Sequence, residues 1–364
     1  MLFILPNCKL MKKENKLTGV KEIARRANIS LATVDRVINN RGGVSQKTKE
    51  KIELIIKELN YQPNILARRL ASPKKIRIVT LIPKVTQETD FWESPYQGIL
   101  MAENEIKEYG VEIEKYFYDQ NDKETFINQT ELILQKDFSG ILIAPLFIED
   151  SIRFIRELQE RNIPFIFINS DIPNYNSLSY IGPDLYHSGY VVAHLVSYLI
   201  KEGSKILIVN IAKEIENNHP LLRIEEGFRH YISENSKKYN IVNVEIKQTN
   251  YSAVETSISE VLSREGKVDF IFVTNSRVFV VANYLEKNNI GKDIILIGFD
   301  FLNENLKALQ NGTIDFLVCH KPKEQAYRGI NILFQHLVSD TKIEKIHLMP
   351  IDIITRENAL FYND

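Results

Sequence analysis

The sequence predicts an α/β chain in two parts: an all-α helix-turn-helix headpiece, then a two-lobed core of doubly wound parallel sheets. Three observations carry this. Charge is divided, with 17 Lys and Arg against 6 Asp and Glu in residues 1–75 (net +11) and 29 against 41 in the remainder (net −12). Apolar residues fall at helical spacing up to Leu59 and, from Ile76 on, in strand-length runs that alternate with helical stretches. At 364 residues, 44% of them hydrophobic, the chain exceeds one small domain and suits two or three. A basic head on an acidic body places a polyanion at the head and keeps the body away from it.

Several classes are excluded by the same composition. Two cysteines, Cys8 and Cys319, lie far apart without metal-ligand neighbours, which rules out a disulfide scaffold, offers no metal site and fits a reducing, cytoplasmic compartment. The apolar LFIL near the start is stopped by Pro6 and followed by Lys9, Lys12 and Lys13, the wrong side for a signal peptide. No later run nears the roughly 18 apolar residues of a membrane span. Residues 1–17 are expected to be a disordered leader, with Met11 as an alternative start.

In the headpiece, residues 18–62, Val20, Ile23, Ala24 and Ala27 share one face of a first helix that Thr18 can cap and Asn28 can close. Ser30 can cap a second helix whose buried side is Val34, Val37 and Ile38, leaving Leu31, Ala32, Asp35, Arg36 and Asn39 outward. After the Arg41-Gly42-Gly43 turn, Ser45 caps a third helix with Ile52, Ile55, Ile56 and Leu59 on one stripe. A basic three-helix bundle could serve only to bind protein. A short turn before a second helix with an exposed Thr, Arg and Asn face instead suits a helix N-terminus entering the major groove of double-stranded DNA. There Arg36 could reach a guanine edge through its two-donor fork, while Ser30, Thr33, Asn39 and Thr48 suit phosphates or positioning.

Residues 63–75 form an expected hinge. Asn64 can cap a helix of only about seven residues, ended by Pro73, and so short a helix cannot hold itself in water because nucleation costs too much. Arg68 and Arg69 suit phosphates, Ala67 suits a close helix contact, and Leu70 suits either a wedge in a minor-groove base step or a dock on the next domain.

From Thr18 to Leu70 the segments TGVKEIARRANISLATVDRVINNRGGVSQKT and NYQPNILARRLA resemble, without a gap, the headpiece and hinge of the lactose/galactose repressor family. The alanine-threonine-valine of the second helix, the asparagine after it, the valine-serine opening of the third helix and the tyrosine-x-proline-asparagine entry to the hinge all stand in register. The resemblance implies a ligand-responsive transcription regulator, a repressor by family habit, that binds a near-palindromic operator as a homodimer. That family usually has serine where Asp35 stands. A carboxylate there would face phosphates, so Asp35 is expected either to pair with Arg36 or a nearby lysine, or to alter operator preference.

From residue 76 to 364 strands and helices alternate, the pattern of a parallel sheet covered on both faces. Expected strands at 76–82, 111–117, 140–144 and 165–168 are separated by helices at 95–109, 123–135 and 148–161. A second round has strands at 205–210, 242–246, 270–273 and 294–297, with helices beginning near Ser188, Pro220, Ser252, Arg277 and Leu302. A strand at 314–318, a helix at 323–338 and two short strands around Leu348 and Ile353 complete the chain. This part resembles the ligand-binding core of periplasmic sugar-binding proteins, which implies three crossings between lobes. They are placed near Ser179, Val318 and Thr341, giving an N-lobe of 76–178 and 319–340 and a C-lobe of 179–318 and 341–364.

Open parallel sheets bind ligands at the carboxyl ends of their strands. Phe91, Trp92, Asn169, Asp171, Tyr251, Asn275 and Asp300 are expected there, a mixture that suits a polyhydroxylated ligand: amides and carboxylates for hydroxyl pairs, rings for the apolar faces of a sugar. Trp92 could equally be a surface or dimer-contact ring, and Asp300 a cap for the helix from Leu302. The resemblance implies that Asn275 and Asp300 bond ligand hydroxyls and that Tyr251 stacks. It also places an arginine three residues before Gly227 and Phe228, where this chain has Ile224. Arg223 stands one residue earlier, a turn of about 100° on a helix. His320 stands where sugar binders often have glutamine, and either adds pH sensitivity to a hydrogen bond or is a plain hinge residue. Ser276 takes the place of a common aspartate.

An enzyme with two such lobes would need a reaction centre. No glycine-rich phosphate loop comes after the first strand, which continues TLIPKVTQETD, and no GxSxG, HExxH or paired-cysteine motif occurs, so neither an enzyme nor a cofactor is expected. A secreted sugar-binding protein would fit the core but not the headpiece. The expected partners are operator DNA, a second copy of the chain and a small effector, in the first place a sugar, with a nucleobase or a phosphorylated metabolite as alternatives. The last strand has no heptad tail after it, which favours a dimer over a tetramer.

Overall fold

Ile23, Ala24, Ala27, Val34, Val37, Ile52 and Ile55 are buried together and hold the three headpiece helices α1 (Val20–Ala27), α2 (Leu31–Ile38) and α3 (Gln46–Glu58). Their side chains recur at three- and four-residue spacing, so each helix turns one stripe inward. Asn28 closes α1 in the left-handed conformation at φ 52°. The Thr33 amide donates to Ser30 Oγ at 3.2 Å, and that of Thr48 to Ser45 Oγ at 3.3 Å, satisfying donors at the starts of α2 and α3. Gly19 occupies the cap position of α1 without a side-chain bond. The computed structural model describes residues 19–38, 41–59, 61, 75–86, 88–216, 218–235, 237–291, 293–339 and 342–363. Thr18, the expected cap of α1, lies outside them, as do the leader and all of the expected hinge but Lys75.

The chain divides into two compact units, Met1–Ala71 and Ser72–Asp364. In the second, strands such as Gly140–Ile143, Phe165–Ile168 and Phe270–Val273 are buried at every residue, as strands covered by helices on both faces must be. The first lobe contains β1 (Ile76–Pro83), α4 (Glu93–Ile106), β2 (Val111–Tyr118), α5 (Lys123–Leu134), β3 (Gly140–Ile143), α6 (Ile148–Glu160), β4 (Phe165–Ile168) and β5 (Ser179–Gly182). The second contains α7 (Leu185–Leu199), β6 (Lys205–Ile211), α8 (His219–Glu234), β7 (Asn240–Ile246), α9 (Tyr251–Glu265), β8 (Phe270–Val273), α10 (Val278–Lys287), β9 (Ile295–Phe299), α11 (Asn303–Asn311) and β10 (Phe316–Cys319). The chain then returns to the first lobe with α12 (Pro322–Val338) and β11 (Ile346–Leu348), and ends in the second with β12 (Asp352–Ile354).

Strand order is β11-β5-β4-β3-β1-β2 in one sheet and β12-β10-β9-β8-β6-β7 in the other, the same path taken twice. Pairing is parallel except at the last strand, where β12 runs antiparallel to β10 while β11 runs parallel to β5. Two expected crossings are displaced. β5 and β11 complete the edge of the first sheet, so the chain leaves that lobe after Gly182 and again after Leu348, rather than near Ser179 and Thr341. Among the described residues no helix is long and apolar enough to cross a membrane, and no group of His, Cys, Asp and Glu is placed to hold a metal ion.

Candidate functional site

The carboxyl ends of both sheets open into one cavity of about 120 Å³ between the lobes. Phe91, Trp92, Asn169, Asn275, Asp300 and His320 line it. Phe91 and Trp92 meet edge to face at 4.9 Å, and Trp92 Nε1 donates to Gln120 Oε1 at 3.2 Å, which fixes the ring as part of the wall.

Asn169 comes directly after β4 and Asp300 directly after β9, and both have left-handed backbones, at φ 67° and 72°. Non-glycine residues rarely adopt this conformation, and it is retained where the surroundings over-determine it. Here they do: the Asn169 amide donates to Gln325 Oε1 at 2.9 Å, and the Asp300 carbonyl accepts from Asn305 Nδ2 at 3.0 Å. Leu302 holds the cap position of α11, two residues after Asp300. Asn275 ties its loop to the end of β6, with Nδ2 donating to the Ile211 carbonyl at 2.8 Å, while Oδ1 accepts from the Arg277 amide at 3.2 Å within the loop.

His320 is buried, and burial lowers its pKa to about 3, so the ring is neutral near pH 7 and shares a 2.9 Å bond with Ser188 Oγ. Of the two alternatives for this residue, added pH sensitivity and a plain hinge role, a ring held neutral by burial lends no support to the first near pH 7.

Three expected ligand residues stand elsewhere. Arg223 is displaced by the one-residue helical offset: Ile224 faces the cavity, while Arg223 pairs with Glu226 and lies 5.1 Å from the Tyr186 ring centre. Asp171, two residues past the end of the cavity wall at Asn169, lines a separate recess with Arg223 and His219. Tyr251 opens α9 with 43% of its surface exposed and does not line the cavity.

The sequence reading misses other lining residues, among them Thr89, Gln120, Asn121, Asn218 and Arg277. Gln120 and Asn121 lie just past the end of β2, so the strand-end rule that finds Asn169 would find them too. Arg277 is 4% exposed, donates to Glu88 Oε2 at 2.9 Å and to the Thr249 carbonyl at 3.3 Å, and bears the cost of burial against the compensating Glu88 charge. Asn305, fully buried in α11, carries no sequence signal. Its Nδ2 reaches the carbonyls of Ser276, Phe299 and Asp300 at 2.9 to 3.0 Å, and its Oδ1 accepts from the Phe279 amide at 3.0 Å, tying the two cavity loops of the second lobe together.

On the headpiece, Leu31, Ala32, Asp35 and Arg36 form the exposed face of α2, beside the half-exposed Thr33 and the exposed Ser30 at its start. Ser45 and Thr48 share a 2.8 Å hydroxyl bond at the start of α3. Asp35 pairs with Arg41 at 3.3 Å. Asn39, Asn64, Ala67, Arg68 and Leu70, also expected at DNA, lie outside the described residues.

Residues 78–341 match the family described as Periplasmic binding protein domain, and residues 19–64 match Bacterial regulatory proteins, lacI family. The HTH-type transcriptional regulator MalR of Streptococcus pneumoniae is 24% identical over 79% of this chain and 84% of its own. The ribose operon repressor of Halalkalibacterium halodurans is 24% identical over 78% of this chain and 80% of its own. A crystal structure of a putative LacI transcriptional regulator from Bacteroides fragilis superposes with a TM-score of 0.74 at 26% identity, covering 80% of this chain and all of that one.

Proposed function

Because the chain belongs to the lacI family of bacterial regulatory proteins, with a periplasmic binding protein domain as its core, and is a ligand-responsive DNA-binding regulator, we propose that its effector is an uncharged sugar. The observation that carries this is the convergence of Trp92, Phe91, Asn169, Asn275 and Asp300 on one cavity. Flat rings against apolar faces and amide or carboxylate groups for adjacent hydroxyls are what a monosaccharide requires. A relative named for the ribose operon supports the same class.

Two copies of the headpiece would read a near-palindromic operator, with Arg36 at a base edge and Ser30, Thr33, Ser45 and Thr48 at phosphates. Leu70 would wedge into a minor-groove base step between the two half-sites. Sugar in the cleft would favour the closed lobes and change operator affinity by linkage.

A thermal-shift panel of sugars, sugar phosphates and nucleobases on the full chain tests the effector. At about 100 times its dissociation constant, the true effector should add about 2.7 kcal/mol. Stabilisation by a nucleobase and by no sugar would overturn the sugar assignment.

A further inference from the structure

Glu88 lies in the loop between β1 and α4, in the first lobe, and Arg277 between β8 and α10, in the second. Their 2.9 Å ion pair therefore joins the lobes, and a 3.3 Å hydroxyl bond between Thr89 and Ser276 lies beside it. Each partner is further held from its own side: Asn121 Nδ2 donates to Glu88 Oε2 at 3.1 Å, and Arg277 donates to the Thr249 carbonyl. Arg277 also lines the ligand cavity. Among the described lining residues the other charged group is the Asp300 carboxylate, since His320 is neutral near pH 7.

We propose that Glu88 and Arg277 form a latch between the lobes that also sets the charge of the effector, admitting neutral polyols and refusing their acids and phosphate esters. This rests on the cleft being the effector site. An anion entering the cavity would meet Asp300 and find its one lining cation committed to Glu88. Using Arg277 would leave the partly buried Glu88 carboxylate with Asn121 alone and untie the lobes that must close over the ligand, a penalty built against the wrong class. A neutral sugar leaves the pair intact and gains from closure. The short side chain of Ser276 bonds to Thr89 across the cleft and places no second negative charge beside the pair.

Two measurements on the full chain test this, one of which needs no ligand. Spin labels at Glu124→Cys in α5 and Gln248→Cys before α9, in a Cys8→Ser background, report the distance between lobes. The ligand-free protein should give one narrow distribution, and both Glu88→Gln and Arg277→Met should add a longer population. Unchanged distributions in both variants would overturn the latch.

Thermal shifts with glucose, galactose and ribose, each beside glucuronate, galacturonate or ribose 5-phosphate, then read selectivity. The unsubstituted chain should prefer a neutral sugar over its anionic counterpart by at least about tenfold, and Glu88→Gln should narrow that ratio by about as much. Preference for the anion, or a ratio unmoved by Glu88→Gln, would overturn the selectivity. No shift from any compound would remove the sugar assignment with it, while the distances would still decide the latch.

Discussion

A carboxylate on the exposed face of α2 repels a phosphate backbone unless something neutralises it, and Asp35 is paired with Arg41. The pair is solvent-exposed, so its own contribution to stability is small. Its effect on DNA would be larger, because it occupies a cation that could otherwise meet phosphate. Asp35→Ser should leave the unfolding free energy within about 0.5 kcal/mol of the parent. It should strengthen binding to every DNA sequence and steepen the slope of log affinity against log salt by about 0.9, one additional phosphate contact. Anisotropy titrations at several salt concentrations would show it, and an unchanged slope would mean that Arg41 does not reach the backbone. His320 acts through its proton instead. The fold holds it neutral down to about pH 3, whereas the unfolded chain takes up the proton near 6.5. Stability is thus lost as pH falls through that window, at up to about 1.4 kcal/mol per unit. Denaturation at pH 7 and pH 5 should show His320→Gln spared about 2 kcal/mol of the parent's loss. Glutamine keeps a donor for Ser188 and carries no proton to exchange.

Among the strands and helices, the cleft depends on the residue just past each strand. Those after β4 and β9 occupy equivalent places in the two sheets, and both adopt the left-handed conformation that aims their side chains at the cavity. Asn305 holds one of these turns through four bonds of a fully buried amide. Asn305→Ala would orphan buried carbonyls and an amide, each costing about 1 to 3 kcal/mol, so a loss of about 3 kcal/mol is expected in urea unfolding. Effector affinity should fall with it, since Asp300 and Ser276 would lose a common support. The strands before these turns are readable in the sequence because fully buried parallel strands are unbroken apolar runs, and the polar residue that ends each run marks the cleft. Asn305 is not readable: a polar residue inside a helix looks like a solvated one until its neighbours are known. Arg223 shows the complementary failure, a plausible side chain turned away by one step of the helix, while Ile224 takes its place.

With both lobes considered together, the doubled sheet path is legible in the sequence and the ties between its halves are not. Arg277 and Glu88 stand 189 residues apart in sequence, and nothing local to either announces the other. The crossings are displaced by a few residues for a related reason: that β5, between β4 and β11, and the edge strand β11 belong to the first sheet is set by their pairing and not by their own apolar pattern. What the two-lobed design predicts is reciprocity. If effector changes operator affinity by the roughly 5- to 150-fold usual for such coupling, operator must change effector affinity by the same factor. Titrating each in the presence and absence of the other checks it, and unequal factors would place a third species in the equilibrium.

The wall of the cavity also contains the chain's single tryptophan, 2% exposed, in contact with Phe91 and bonded to Gln120. The protein therefore carries its own optical probe at the place where an effector would sit. Emission from Trp92 comes from one environment, with no other indole to dilute it, so occupancy of the cleft should be visible as a change in intensity or wavelength in unlabelled protein. Trp92→Phe would abolish that signal while retaining an aromatic wall, which separates the light from the binding it reports.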